Sequence, residues 1–455
     1  MDSYKSKLPK VFSSDGFVTF VVSTAIFTDA FIYDLIIPFF PRMLKERAAI
    51  PDEHTQFWTS MMLSSFGVCF LISNFIIGAI VDRTRYKRFV FTLGIVAMLA
   101  SSLMLFLGRN IIVMIVARGL QGASASIVWV AGLATLTLHV EKKNAGWAMG
   151  TSSVGMAAGE LLGPPIGGVM YEYAGHFATL GLVCAILGID VVLRLLVVDK
   201  SPEPSKSSND EERPLLHDSG EVHDYSSSND SLNTQPSENI LCADVVKRWI
   251  NLDLLASCCA IAINSIILFA LEATLVNFVS QAFHWSTAAS GGVILALNTP
   301  SLATPIITGF IERHGPRWPS VGAFVGGGIG LVGLGFMDKP VTVTKVFFVI
   351  LILVIGSCSG AITAMHHIVF GVATKQSEES AKSKGKEDES TAGQTFSTMT
   401  TAWAVGTCTG PLLATFVLDR SNWLGLCVTL ACLCFVSAFG MLFSWKKWDP
   451  LEFKE

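Results

Sequence analysis

Charge is scarce in this sequence. Only 15% of its 455 residues are Asp, Glu, Lys or Arg, against 51% hydrophobic ones, and the mean hydropathy is +0.54. That balance excludes an ordinary soluble globular chain. The net charge of −4 is small, so no nucleic-acid partner is expected. A disulfide framework is also missing: Cys69, Cys184, Cys258, Cys259 and Cys434 sit inside apolar stretches and read as small hydrophobes rather than bridges or metal ligands. No G-x-x-x-x-G-K-[ST] loop and no catalytic constellation occurs, so neither ATP-driven work nor enzyme chemistry is expected, and no cofactor or metal is implied. No cleavable signal peptide is expected either, because the first fifteen residues are polar and carry Lys5, Lys7 and Lys10.

What is abundant is apolar runs long enough to cross ~30 Å of hydrocarbon, about twelve of them. They fall at roughly 16–41, 57–81, 89–108, 111–138, 145–171, 177–198, 252–282, 287–311, 319–338, 343–374, 392–418 and 422–444, and are called helices 1 to 12 here. Basic residues set their direction. Placing the N-terminus in the cytoplasm puts Arg83, Arg85, Lys87, Arg88, Lys142, Lys143, Arg313, Arg317 and Lys446 inside. Roughly 23 of the 32 basic residues then lie on that side and about seven on the other, with both termini cytoplasmic.

Residues 199–250 divide the chain. They are rich in Ser, Asp, Glu and Pro and too polar to bury a core, so they predict a disordered cytoplasmic linker between two six-helix bundles, 16–198 and 251–445. A charged loop at 375–391 separates helices 10 and 11, and short cytoplasmic tails cover 1–15 and 446–455. Serines in both segments are candidates for phosphorylation, though such stretches usually only solvate. The Asn229-Asp-Ser sequon lies on the cytoplasmic side and should be silent.

The densest signal is Gly150-TSSVGMAA-Gly159-ELL-Gly163-Pro164-PI-Gly167-Gly168 on helix 5. In a soluble helix each glycine costs about 1 kcal/mol against alanine. In a membrane helix, glycines at this spacing let a neighbouring backbone approach, and Gly-Pro kinks the axis. Gly159 and Gly163 are four apart and share a face, so a bulky residue there should shift the balance between conformational states. Two further motifs accompany it. Gly78-AIV-Asp82-Arg83-T-Arg85-Y-Lys87-Arg88 follows helix 2 and has a weak echo, Thr308-GFI-Glu312-Arg313-H-Gly315-P-Arg317, after helix 8. Arg118-GL-Gln121-Gly122-ASA lies on helix 4, and Gly406-TCT-Gly410-Pro411 on helix 11 echoes the helix-5 pattern.

Together these motifs resemble the major facilitator superfamily. The helix-5 stretch resembles the antiporter motif of its twelve-helix drug:proton antiporters, and the helix-4 stretch the motif tied there to proton coupling. The helix-2 stretch resembles the superfamily's signature loop, with Arg85 where a glycine is usual. Asp29-AFIYDLII-Pro38-FF-Pro41 on helix 1, and Gly-Pro-Pro followed by MYEYAG on helix 5, are most similar to the branch containing vesicular amine transporters and their fungal relatives. The resemblance implies an all-α membrane protein with the major facilitator fold: twelve transmembrane helices in two pseudo-symmetric six-helix bundles, with a site at their interface. It also implies that Asp82 and Arg83 help latch the cytoplasmic side and that Asp29 meets a cationic amine. The vesicular transporters' acids on helices 10 and 11 have no counterpart, since those places hold Gly360-AIT and Thr400, and monoamine storage is not implied.

A mid-membrane arginine costs at least ~2.5 kcal/mol and should face a partner or a cavity. The candidate partners of Arg118 are the intramembrane acids Asp29, Asp34, Glu160 and Glu272. Helix geometry sets Asp29, Arg118 and Glu160 at similar depths, roughly 18–20 Å from the cytoplasmic boundary, with Asp34 and Glu272 further out. Clustered carboxyls in a low-dielectric cavity cannot all stay ionised, so at least one takes up a proton, while an adjacent arginine holds another ionised. A cationic substrate can then compete with the proton for a shared carboxylate, which is the minimal antiport mechanism. Tyr33, Gln121, Asn264 and His366 are further cavity candidates. His366 and His367 can titrate near neutral pH but point about 100° apart. Trp129, Trp403 and Asn277 can line the cavity or simply pack, and Asp190–Arg194 reads as a structural i,i+4 pair on helix 6.

The expected function is a monomeric, proton-coupled exporter of small lipophilic or weakly cationic organic molecules such as drugs, toxins or secondary metabolites. Its partners are the substrate, protons and the lipid bilayer. The alternatives are an importer or facilitator for an organic acid or polyamine, and a transport-inactive membrane sensor. The plasma membrane is the expected location, with vacuolar or vesicular membranes as alternatives.

Overall fold

The computed structural model describes residues 14–83, 87–140, 144–196, 252–383 and 391–444. The expected linker at 199–250, the bulk of both tails and part of the loop 375–391 lie outside the described residues, as do the side chains of Asp82, Arg83 and His366. Among the described residues the structure is helical, without strands.

Helix α1 opens at Ser14, whose hydroxyl accepts from the Phe17 amide, and runs as α1a (Asp15–Ile36). Pro38 and Pro41 remove two amide donors, so a 3-10 turn at Ile37–Phe39 leads into α1b (Phe40–Ala48). There follow α2 (Asp52–Arg83), α3 (Lys87–Leu107), α4 (Ile111–His139), α5 (Ala145–Val169) and α6 (Gly175–Leu196). The second half holds α7 (Leu252–Phe283), α8a (Thr287–Asn298), α8b (Thr304–His314), α9 (Arg317–Gly335), α10 (Thr342–Ser383), α11 (Thr391–Leu418) and α12 (Trp423–Phe443). Asn110, Ser286 and Asn422 cap α4, α8a and α12, each side chain accepting a backbone amide of the first turn.

Among the described residues, ten segments are long and apolar enough to span a membrane by themselves. Twelve crossings result. One of the ten, Trp147–Leu196, contains both α5 and α6. A π-helical stretch at Met170–Ala174 ends at Gly175, whose φ of 82° turns the chain back. His176 then bonds the Phe106 carbonyl at the end of α3, and Arg194 lies over Phe91 near its start, so α6 runs antiparallel to α3. The twelfth crossing is α8, which Pro300 and Pro305 split into two pieces, each too short to qualify alone.

The near side is the one on which α1a begins, and the far side the one on which α1b ends. Within the first half, α5 lies parallel to α1 with backbone in contact. A Cβ added at Gly155 would meet Ser23, at Gly159 Phe27 and Phe31, at Gly163 Phe31 and Leu35, and at Gly167 Leu35. Both members of this ladder step by four, one helical turn at a time. The second half repeats the arrangement: Gly406 meets Ser265 and Gly410 meets Ile266 and Ala270, holding α11 parallel to α7.

The halves meet along two seams. Gly67 on α2 abuts the backbone of Thr407 and Cys408 on α11. Gly168 abuts Thr287, and Gly291 abuts Pro164, joining α5 to α8a. Towards the far side the seams are tied by polar bonds. Gln56 Nε2 donates to the Ala273 carbonyl at 3.0 Å, and Asn277 Nδ2 donates to Gln56 Oε1 at 2.7 Å. The Glu172 carboxylate accepts the Ala288 amide at 2.7 Å, at the N-terminus of α8a.

Candidate functional site

Between the halves lies a cavity of about 380 Å³. It reaches towards the near side, where Met149, Gly150, Ser153 and Thr400 line it, and it stops short of the tied far-side seams. Asp29, Asp34, Glu160 and Glu272 all line it. The helix-1, helix-5 and helix-7 acids singled out from sequence therefore converge on one space. No described lysine, arginine or histidine lines that space. Its walls are aromatic, with Tyr33, Phe66, Phe70, Phe269, Trp129 and Trp403 contributing.

Asp29, Asp34 and Glu272 are buried, while Glu160 is half-buried. Trp129 Nε1 donates to Asp29 Oδ2 at 2.8 Å, which fixes one carboxylate oxygen and leaves the other to the cavity. Glu272 Oε2 and the Tyr33 hydroxyl are buried without a hydrogen-bond partner. Unpaired polar atoms in a dry interior are costly, so they mark places where a ligand proton or ammonium would be favourable.

Glu160 is held by an unusual backbone feature. Pro164 has no amide, so the Glu160 carbonyl four residues earlier loses its helical donor. Asn298 Nδ2, from α8a in the other half, reaches that carbonyl at 3.4 Å. The Gly-Pro pair thus supplies a binding point for the opposite half.

Arg118 departs from the sequence expectation. It makes no ion pair with an acid; ion pairs between two described residues are confined to residues 42–54. Its Nη1 donates to Gln121 Oε1 at 3.0 Å, and Gln121 Nε2 donates on to Ser102 at 2.8 Å. The guanidinium is enclosed by the rings of Tyr33, Phe40 and Phe66, with centroids 4.9–5.1 Å away. Cation–π contact replaces the carboxylate partner. The physical reason is position: Tyr33 and Phe66 stand between Arg118 and the main cavity. Arg118 and Gln121 instead border, with Asp29 and Tyr33, a separate gap of about 10 Å³.

The remaining candidates take other places. Asn264 is buried in α7 but does not line the cavity. Asp190 and Arg194 are both buried, and Arg194 has Phe91 beneath its guanidinium. Gly78 and Gly150 have nothing within 4 Å of an added Cβ among the described residues, so neither marks a close helix approach. Gly159 and Gly163 pack inside the first half rather than across the seam, whereas Gly168 crosses it. Asn277 ties the far-side seam.

Sequence reasoning left Trp129 as a residue that packs or lines. The available signal was spacing: eleven residues from Arg118 is about 1100°, nearly whole turns, so both share a face of α4. Asn298, Thr407, Phe66, Phe70 and Phe269 carried no motif.

A family model described as Major Facilitator Superfamily matches residues 22–381. An uncharacterised MFS-type transporter of Schizosaccharomyces pombe is 25% identical over 428 residues, covering 92% of this chain and 93% of that protein. The MFS-type transporter ppzB of Metarhizium rileyi is 29% identical over 185 residues, 41% of this chain and 38% of ppzB. The synaptic vesicular amine transporter of Bos taurus is 32% identical over 152 residues, 32% of this chain and 29% of the transporter. The chain is therefore matched to well under half the length of these last two. Among solved structures, a D-xylose-proton symporter superimposes with a TM-score of 0.69 at 10% identity, over 96% of this chain and 98% of that one. A bacterial homologue of the human lysosomal transporter Spinster, inward-facing and unoccupied, gives 0.68 at 11%, over 96% and 99%. At such identities the likeness concerns the fold alone.

Proposed function

The chain belongs to the major facilitator superfamily and is a multi-pass membrane transporter, not an enzyme; from that premise we propose that it is a proton-coupled antiporter exporting small lipophilic or cationic organic molecules. The observation that carries this reading is the cavity lining: four carboxyls, an aromatic wall and no described cationic side chain. Such a surface repels anions and accepts cations, and its rings favour flat or apolar bodies.

Coupling follows from competition. Carboxyls crowded in a low-dielectric space hold protons until a cation arrives to replace them. Arrival of the substrate releases a proton, and rebinding of a proton on the other side releases the substrate. Exchange requires the same carboxyls to be offered alternately to the two sides. The described geometry is one end of that cycle, with the cavity reaching the near side and the far side tied. The concentration of basic residues supports a cytoplasmic near side, so this end of the cycle would load cargo from the cytoplasm. Residence in the plasma membrane as a monomer completes the proposal.

The test is transport in proteoliposomes with a panel of lipophilic amines. An imposed pH gradient should drive their movement against a concentration gradient, and a protonophore should abolish it. Equal movement with and without the gradient, for amines that bind, would make the protein a facilitator.

A further inference from the structure

The cavity is rich in acceptors and poor in free donors. Five of the eight hydroxyls that line it, Ser152, Ser153, Ser301, Thr363 and Thr407, lie 2.7–3.3 Å from a backbone carbonyl three or four residues earlier in the chain. A carbonyl oxygen can only accept, so each of these hydroxyls spends its proton there and keeps only lone pairs for another partner. Ser152 already has such a partner in the Ser23 hydroxyl, 3.2 Å away.

The nitrogen donors are committed as well. Trp129 Nε1 gives its one proton to Asp29. Asn298 Nδ2 reaches the Glu160 carbonyl across the seam, which leaves Oδ1, an acceptor, as the other end of the amide. The Tyr33 hydroxyl has no partner, but it is buried away from the open space. Arg118 borders the smaller gap beside Asp29, behind Tyr33 and Phe66, and does not line this one. The carboxylates of Asp29, Asp34, Glu160 and Glu272, once ionised, accept only. A ligand that settles here therefore has to bring the hydrogens.

We infer that the cavity selects cations that carry N–H bonds, the protonated primary, secondary and tertiary amines, and discriminates against quaternary ammonium ions of the same charge. Hydrogen bonding alone tells the two apart, because the aromatic wall attracts both. Replacing one N–H by N–CH3 gains roughly fourfold in affinity from the buried methyl group. It also leaves a buried acceptor unpaired, and a hydrogen bond to a charged group is worth roughly tenfold or more. The loss outweighs the gain, so affinity falls as methyl groups replace hydrogens. The N–H requirement rests on the antiporter reading only in taking the cavity as the substrate site, and it concerns binding rather than proton coupling.

The test is equilibrium binding to the purified full-length protein in detergent, without any gradient, at a pH where every ligand is charged. The probes are benzylamine, its N-methyl and N,N-dimethyl derivatives, and benzyltrimethylammonium. Affinity should fall along that series, by about tenfold or more from the first to the last. Equal or tighter binding of the quaternary ion overturns the inference and requires no variant to fold, and so does failure of the whole series to bind. Ser301→Ala combined with Thr407→Val removes two acceptors and keeps the carboxyls. Benzylamine should bind that variant about threefold or more weakly, and benzyltrimethylammonium as before. An unchanged ratio of the two affinities, in a variant with the wild-type unfolding temperature, also overturns the inference. If the series binds as expected but no gradient drives benzylamine, the antiporter reading fails and the N–H requirement stands. If the two ions bind equally and a gradient drives both, the reverse holds.

Discussion

Gly291→Ala is the sharpest probe of how the two halves move. Gly291 lies on α8a against α5, and an added Cβ would sit 2.5 Å from the Pro164 carbonyl oxygen and 3.1 Å from its carbon. Ordinary contact begins at 3.4 Å, so the helices must part by about 0.9 Å at that point. The obstructing atoms are backbone and cannot rotate away. Overpacking of this kind costs about 1–3 kcal/mol. Because α5 and α8a belong to different halves, the cost falls only on the state in which the far side is closed. The ratio of far-side-open to far-side-closed molecules should therefore rise roughly five- to 150-fold. Spin labels at Arg109 and Lys339, exposed in far-side loops of the two halves, would report it as a longer distance population in pulsed electron resonance. Gly163→Ala is the control. Its Cβ would meet the Phe31 carbonyl at 2.8 Å, but inside one half, so it should lower the unfolding temperature and leave the distance distribution alone. An unchanged distribution in Gly291→Ala, or the same shift in Gly163→Ala, would refute the reasoning.

Asp29→Asn keeps an acceptor for Trp129 but removes the titratable group, so gradient-driven transport should fall at least tenfold with little change in unfolding temperature. Asp34→Asn should be milder, since Glu160 and Glu272 remain in the same cavity; a wild-type rate in Asp29→Asn would sink the shared-carboxylate mechanism. Glu172→Gln weakens the carboxylate that caps α8a across the seam, an interaction of about 0.3–1 kcal/mol. The far-side-open fraction should rise about two- to fivefold with the same labels, and no change would remove Glu172 from the closure.

Much of the architecture is written in the sequence because the bilayer leaves few choices. An apolar run of twenty residues must satisfy its own backbone bonds, so hydropathy marks the crossings, the run at 287–311 included, though not its break. The clustering of Asp29, Asp34, Glu160 and Glu272 was legible for the same reason: carboxyls inside a membrane have nowhere else to face. The glycine spacing on α5 announced a close helix approach, since only backbone contact rewards so many glycines.

Which helix comes close was not written there. Spacing gives a face and never a neighbour, so only the tertiary structure assigns Gly159 and Gly163 to α1 within one half and Gly168 to α8a across the seam. Partner choice escaped sequence for a similar reason. Depth estimates put Arg118 level with Asp29 and Glu160, but the aromatic rings of Tyr33, Phe40 and Phe66 enclose the guanidinium, while Trp129 takes the Asp29 oxygen. The Glu160 carbonyl that Pro164 strips of its donor could be named from sequence; that Asn298 reaches it could not. One-dimensional periodicity fixes what each helix presents. Contacts between residues far apart in the chain decide what each presented group meets.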